Sequence, residues 1–382
     1  NLATLLQKQG RYSEAEPLYG RALAIGEKAG TQPAVLALRL KNLGHLWSLQ
    51  GKYSDAEKLI RRALAIERTA YGEKHPSVGE TLNILAQTML LQRKVEEGAS
   101  LAGQAYAILQ SSLGPDHPIT VSGLENLAAS LFERGEVVEA ERVCRRALSS
   151  KEKTLGKEHP SVASSLNNLA LYLQTFGQAV RVEPLYQRAL ANAEKALGPD
   201  HPEVAPIVQN LATLLHSERK HQQAERLYVR ALTIFEKALG PDHPELTHPL
   251  NNLAKLYFDL GKQDQAEAFY QRALQIREAA LGREHPSTAA LLHNLANFYV
   301  LQKRYRDAEP LLLRALAIQE GHWGIEDRRL KDCLSSYVEL LRRTKRKAEA
   351  REVEHRFRGL LPRKNVLPDK LSLMPDNQTA NG

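Results

Sequence analysis

Seven asparagines, Asn1, Asn42, Asn126, Asn168, Asn210, Asn252 and Asn294, each stand immediately before a leucine, at steps of 41, 42 or 84 residues. A carboxamide carries both a donor and an acceptor, so a row of them has the chemistry to hold the backbone of an extended peptide whatever its side chains. Six histidines keep the same phase, each followed by proline: His75, His117, His159, His201, His243 and His285. They resemble a metal set only superficially. One per period disperses them along an edge, whereas metal ligands must gather within about 2 Å of one ion. They read as turn residues. Glutamates of recurrent Ala-Glu pairs, such as Glu225 and Glu267, are equally periodic and read as partners of nearby arginines rather than as acid and base. No Gly-rich phosphate loop, nucleophile elbow or His-Glu-x-x-His helix appears, so neither catalysis nor a bound cofactor or metal is expected.

The elements that must position these residues follow from the period. Leu2, Leu43, Leu85, Leu127, Leu169, Leu211, Leu253 and Leu295 are each followed by alanine or glycine, and an Arg-Ala-Leu triplet opens at Arg21, Arg62, Arg146, Arg188, Arg230, Arg272 and Arg314. Such regularity is the mark of a repeat array. Within one unit Leu246, Leu250, Leu253, Ala254, Leu256 and Tyr257 recur at helical spacing behind Pro244, which suits the first position of a helix, here helix A. Gly261-Lys262 turns the chain into helix B, marked by Ala266, Phe269, Tyr270, Ala273, Leu274 and Ile276. Gly282 reads as its left-handed cap. Alanines such as Ala254 and Ala273 predict close helix packing. The fold class expected is all-α, a right-handed α-solenoid (superhelix) of stacked antiparallel helix pairs. Each ladder asparagine sits one position, about 100°, from its core leucine and is expected to project into a concave groove lined by the A helices.

The segments Leu281 to Pro286, Leu250 to Ala254 and Ala266 to Leu274 resemble the tetratricopeptide repeat in its long form, the type found in kinesin light chains. The resemblance covers about 360 residues and implies that asparagines at the ladder position contact bound peptides. It also implies a role for an arginine on helix B between two of them, matched here by Asn252, Arg277 and Asn294; the equivalent position elsewhere is Glu67, Ala193, Phe235 or Gln319. His45, Thr213, Lys255, Asn297, His248 and His293 are expected to add selectivity in the groove, and Lys255 beside Arg277 favours an acidic ligand segment.

Of the 382 residues, 1–361 are expected to form one array of about nine units, the first truncated and the last a degenerate cap over 327–361, with 362–382 a disordered tail. The third unit departs from the pattern, with Ile84 at the ladder position and Gly98-Ala99 in place of Ala-Glu. Asn1 aligns with the middle of a helix and no methionine precedes it, so the sequence is expected to be a piece of a longer protein. Net charge is +8, and ten basic residues against four glutamates fall between Tyr337 and Lys364. The stretch Arg342 to Lys347 reads as the solvated face of a capping helix in preference to a nucleic-acid patch. Cys144 and Cys333 occupy unrelated repeat positions, and a reducing, cytoplasmic setting is expected. Extended, partly acidic protein or peptide segments are the expected partners. A small-molecule substrate, nucleic acid or membrane is not expected. Function is therefore read as a non-catalytic interaction scaffold, a kinesin light chain-like cargo adaptor being its narrower form. The alternative is the sensing arm of a larger signalling protein.

Overall fold

The structure, a computed structural model, describes residues 2–8, 11–92, 94–175, 182–325, 327, 329–358 and 360. Asn1 and the expected tail 362–382 lie outside the described residues. All the regular structure among the described residues is helical, and it falls into two compact units, Asn1–Gly240 and Pro241–Gly382, where the spacing alone predicts one array. The first unit runs α1 (Leu2–Lys8), α2 (Tyr12–Lys28), α3 (Pro33–Leu49), α4 (Tyr53–Tyr71), α5 (Pro76–Leu91), α6 (Val95–Leu113), α7 (Pro118–Glu133), α8 (Val137–Leu155), α9 (Pro160–Thr175), α10 (Glu183–Leu197), α11 (Val204–Ser217) and α12 (His221–Leu239). The second has a 3₁₀ turn, Pro244–Leu246, then α13 (Thr247–Asp259), α14 (Gln263–Leu281), α15 (Pro286–Leu301), α16 (Tyr305–Trp323), α17 (Leu330–Arg343) and α18 (Lys347–Arg356). Odd-numbered helices are the A helices and even-numbered ones the B helices. Each unit is an α-solenoid of stacked helix pairs.

The repeated motifs explain the helix boundaries. At the six periodic His-Pro pairs the imidazole Nδ1 accepts the backbone N–H two residues on, at 3.1–3.3 Å for His75, His117, His159, His201, His243 and His285. At the entries of α5, α7 and α15, and of the 3₁₀ turn, histidine thus performs the N-cap task usually given to Ser, Thr, Asp or Asn, with proline following where a helix has no use for its N–H, whereas α11 begins later, at Val204 behind Glu203. At the other end, the glycines closing the B helices differ from the left-handed cap read from the sequence. Gly198 has φ 91° and ψ 157°, an extended positive-φ conformation open to glycine alone, and a Cβ there would meet nothing, so backbone conformation and not space selects the residue.

Alanine lets the two helices of a pair approach. Ala56, Ala140, Ala224, Ala266 and Ala308 and the triplet alanines Ala63, Ala147, Ala189, Ala231, Ala273 and Ala315 have no exposed surface, while Tyr186, Tyr228 and Tyr270 fill the space beside them. Gly98 takes the alanine position of the third unit for a local reason: a Cβ would lie 2.9 Å from Leu90 Cδ2 and 3.2 Å from the Ala86 carbonyl oxygen. Its companion Ile84 packs partly buried on the apolar cluster of Ile60, Leu82, Leu85 and Met89.

Two ion-pair ladders stitch successive pairs. The triplet arginines reach back one repeat, Arg62 to Glu27 (2.5 Å), Arg230 to Glu194 (2.6 Å) and Arg314 to Glu278 (2.5 Å), and the last two also bond the carbonyls of Pro199 and Arg283. The Ala-Glu carboxylates reach forward, Glu16 to Lys52, Glu57 to Lys94, Glu267 to Arg304 and Glu309 to Arg346, at 2.5–2.9 Å. Burial alone would raise the Glu57 carboxyl, but hydrogen bonds from Lys94, Arg61 and Gln92 outweigh it and hold the group near about 2.

Candidate peptide-binding site

In the first unit A helices touch A helices, α3 on α5, α5 on α7 and α9 on α11, and in the second α15 meets α17. The ladder asparagines lie on these A helices, and their surroundings divide them. Asn42, Asn168 and Asn252 are half-buried and make no side-chain hydrogen bond among the described residues. Asn126 is half-buried and its Oδ1 accepts from Gln87 Nε2 at 3.2 Å. Asn210 Nδ2 donates to Asn167 Oδ1 at 3.0 Å, tying α11 to α9. Asn294, expected to project into a groove, is instead fully buried, and its Nδ2 donates to Asn251 Oδ1 at 2.9 Å.

The reason lies one position earlier, where every described repeat carries a polar residue: Lys41, Asn83, Glu125, Asn167, Gln209, Asn251 and His293. Where that residue is asparagine it can accept the amide of the next ladder member, 43 residues on, as Asn167 and Asn251 do. In the third case the pair is His293 Nε2 with Ser336 Oγ at 2.8 Å, and Asn297 Nδ2 lies 3.1 Å from the same nitrogen. Burial holds His293 neutral, down to about 4. Sequence reading missed this column, although its unbroken polarity beside a core leucine was a visible signal.

Lys41 and Glu125 fill the column differently. Lys41 Nζ pairs with Glu67 at 2.9 Å, both nearly sealed, and Thr81 Oγ1 donates to the other carboxylate oxygen at 2.5 Å. Two repeats later the charges are exchanged: Lys151 Nζ meets both oxygens of Glu125 at 2.8 and 2.9 Å, and Ser165 Oγ donates to the same carboxylate. Each carboxylate is neutralised by its own ammonium, so these pairs brace α3–α4–α5 and α7–α8–α9 rather than perform acid–base chemistry.

Arg277 occupies the helix-B position of that slot. Its half-buried guanidinium donates to Thr247 Oγ1 and, at 3.4 Å, to Ser287 Oγ, bracing α14 between α13 and α15. It also adds to the burial that lowers His248 to about 4. Lys255 is half-buried on α13. Asn252, Arg277 and Asn294 therefore do not form one open triad, because Asn294 is sealed. Of the other expected selectivity residues, His45 is exposed with Nδ1 3.1 Å from Gln7 Nε2, and Thr213 Oγ1 accepts from Tyr228 OH at 3.0 Å.

The basic stretch 342–347 is largely engaged within the fold. Arg342 pairs with Glu354, Arg343 with Glu339 and Arg346 with Glu309 and Glu349. Cys144 and Cys333 are buried thiols donating to the carbonyls of Ser165 and Leu312. Among the described residues no three His, Cys, Asp or Glu side chains converge as a metal site, and no helix is long and apolar enough to cross a membrane.

Comparison with known proteins agrees with this architecture. The family model "Tetratricopeptide repeat" matches residues 1–66, 34–111, 119–195, 182–237, 205–279 and 250–321. BtubC (BKLC) from P. vanneervenii is 26% identical, with a TM-score of 0.50 over 59% of this chain and 91% of its own. A Rap protein crystallised with competence and sporulation factor aligns over 94% of this chain and 96% of its own, at 13% identity and TM-score 0.60, a likeness of fold. Repeats of Podosopora anserina described as kinesin light chain TPR-like are 26% identical, with a TM-score of 0.45 over 54% of this chain and 97% of theirs. No curated protein sequence matches. The chain belongs to the tetratricopeptide repeat family, its repeats being of the 42-residue, kinesin light chain-like type that serves as a protein-interaction scaffold.

Proposed function

We propose that each unit holds an extended polypeptide segment against its A-helix face, the segment's backbone pairing with Asn42 and Asn168 in the first unit and with Asn252 in the second. The observation that carries this reading is the free, half-exposed carboxamide at those three positions, set in the same register as amides already engaged by a neighbouring repeat. A peptide N–H and C=O would satisfy both halves of such a group. Lys255 beside the Asn252 rung favours a ligand with acidic side chains there, and Arg277 acts by fixing the helices around it. Asn126, Asn210 and Asn294 serve the stacking. The narrower role we propose is a cargo adaptor of the kinesin light chain kind, supported by the 42-residue form of the repeats, in a reducing cytoplasmic setting where both buried cysteines stay thiols.

Peptides selected from a random displayed library on the whole chain test this. Against N42A/N168A, a peptide that binds the first unit should lose affinity about tenfold or more, since each lost hydrogen bond is worth about 1 kcal/mol. The melting temperature should not move. Equal affinity for the double variant and the wild type would remove the ladder from recognition.

A further inference from the structure

We propose that the edge of the second unit formed by its A-to-B turns is a separate docking surface for an acidic polypeptide segment, held by Lys303, Arg306, Lys345, Lys347 and Arg351. These five side chains are exposed and make no ion pair among the described residues. The carboxylates around them are already committed inside the fold: Asp307 to Arg304, Glu309 and Glu349 to Arg346, Glu339 to Arg343 and Glu354 to Arg342. Only Asp264 and Glu352 stand unpaired among the described acids of α14, the turns and α18, leaving a surplus of fixed positive charge along the edge.

A second observation concerns the backbone. In the first turn of this unit the left-handed position is glycine, Gly261 at φ 72°. The next two turns place lysine there, Lys303 at φ 63° and Lys345 at φ 65°. Both turns keep the same hydrogen bonds, from Lys303 N–H to the Val300 carbonyl and from Lys345 N–H to the Arg342 carbonyl. Glycine would occupy this conformation without strain, so lysine in two consecutive turns sacrifices local stability and gains only a solvent-facing ammonium. Arg219 takes the same conformation, at φ 60°, in the first unit, so what distinguishes this edge is that two such exposed ammonium groups stand beside Arg306, Lys347 and Arg351 with the nearby carboxylates already paired.

The chemistry favours a carboxylate-bearing protein segment. Turns on helices packed side by side lie roughly 10 Å apart, and an extended chain rising about 3.3 Å per residue brings a side chain to each turn every third residue. For single-stranded nucleic acid the edge lacks stacking platforms, as the nearby Tyr305 is half-buried. A row of turns presents no helix or strand to a duplex groove.

A fluorescently labelled oligo-glutamate peptide, titrated into the full chain by anisotropy at low and physiological salt, is the test. Binding should weaken with salt and fall at least tenfold in K303G/K345G, whose melting temperature should equal or exceed that of the wild type. R306Q/K347Q/R351Q should show a comparable loss, whereas N42A/N168A should retain full affinity, which separates this surface from the A-helix face. Unchanged affinity in either edge variant would overturn the proposal, and so would a lower melting temperature for K303G/K345G, since the lysines would then serve the fold. Tighter, edge-dependent binding of a duplex DNA oligonucleotide would overturn the assignment to an acidic polypeptide.

Discussion

His293 gives the sharpest quantitative prediction, because the residue that replaces it elsewhere in the array is known. The ring is 4% exposed, Nε2 faces Ser336 Oγ and Asn297 Nδ2, and the amide N–H of Asn297 requires that nitrogen to accept. Burial lowers the folded-state value to about 4, against about 6.5 in the unfolded chain. The unfolded state therefore binds a proton that the folded state refuses, and the stability conferred is fully present above pH 6.5 and lost as pH falls towards 4. Linkage puts the loss at about 2 kcal/mol by pH 5 and about 3 kcal/mol by pH 4. Asparagine fills the same position at Asn83, Asn167 and Asn251, so His293→Asn should fold, keep a bond to Ser336 and delete this pH dependence. Trp323 lies in the second unit under Arg329, 3.8 Å from its ring, while Trp47 lies in the first; in a W47F background, indole fluorescence follows the second unit alone. Urea midpoints at pH 7.5 and 5 should fall less in H293N than in its parent by about 2 kcal/mol, His248 contributing equally to both proteins. Parallel pH profiles for the two would refute the argument that the buried ring refuses the proton.

Three further outcomes follow. Asn294→Ala leaves the buried Asn251 oxygen without its donor and should cost about 1–3 kcal/mol in a chemical melt, whereas Asn168→Ala should cost less than about 0.5 kcal/mol. His117→Ala removes a cap and should cost about 1 kcal/mol, which His117→Asn should restore; equal melting of both variants would deny the imidazole its capping role. Lys41→Ala strands the sealed Glu67 carboxylate and should cost about 3–5 kcal/mol, but K41E/E67K should recover most of it, because Glu125 and Lys151 hold that charge order in the same slot two repeats on.

What the sequence made legible was whatever is local and repeated. Leucines at a 42-residue spacing with alanine beside them dictate paired helices, and His-Pro at each entry and glycine at each exit dictate their ends, since caps and turns act within a few residues. Gly198 shows the limit even there: its residue type announced a positive φ, but the ψ of 157° follows from the direction the chain must take to its next helix. The candidate binding residues were legible as a column but not as individuals. Asn168 and Asn210 are identical letters in identical registers, and only the acceptor 43 residues upstream of Asn210 separates an engaged amide from a free one.

The same contrast explains how a nearly uniform frame can carry a specific site. The alanines of the Ala-Glu pairs, and those of the triplets from Arg62 on, are packed to zero exposure and most of the repeated leucines are buried beside them, so these positions tolerate little and repeat. The slot beside them, bounded by an A helix, its B helix and the next A helix, accepts any group whose polarity is satisfied within it. Lys41 with Glu67, Glu125 with Lys151 and Arg277 with Thr247 and Ser287 are three solutions of that requirement. Once a slot is satisfied by charge, the ladder asparagine 43 residues further on finds no acceptor there and its amide stays free. Asn168 stands 43 residues beyond Glu125, which Lys151 and Ser165 already satisfy, and is free, whereas Asn167 and Asn251 draw Asn210 and Asn294 into the fold. Choice of residue in the slot thus decides which rungs keep a free amide, and in the proposed peptide-binding role it is the position that varies, rather than the asparagine that recurs, that selects the rungs.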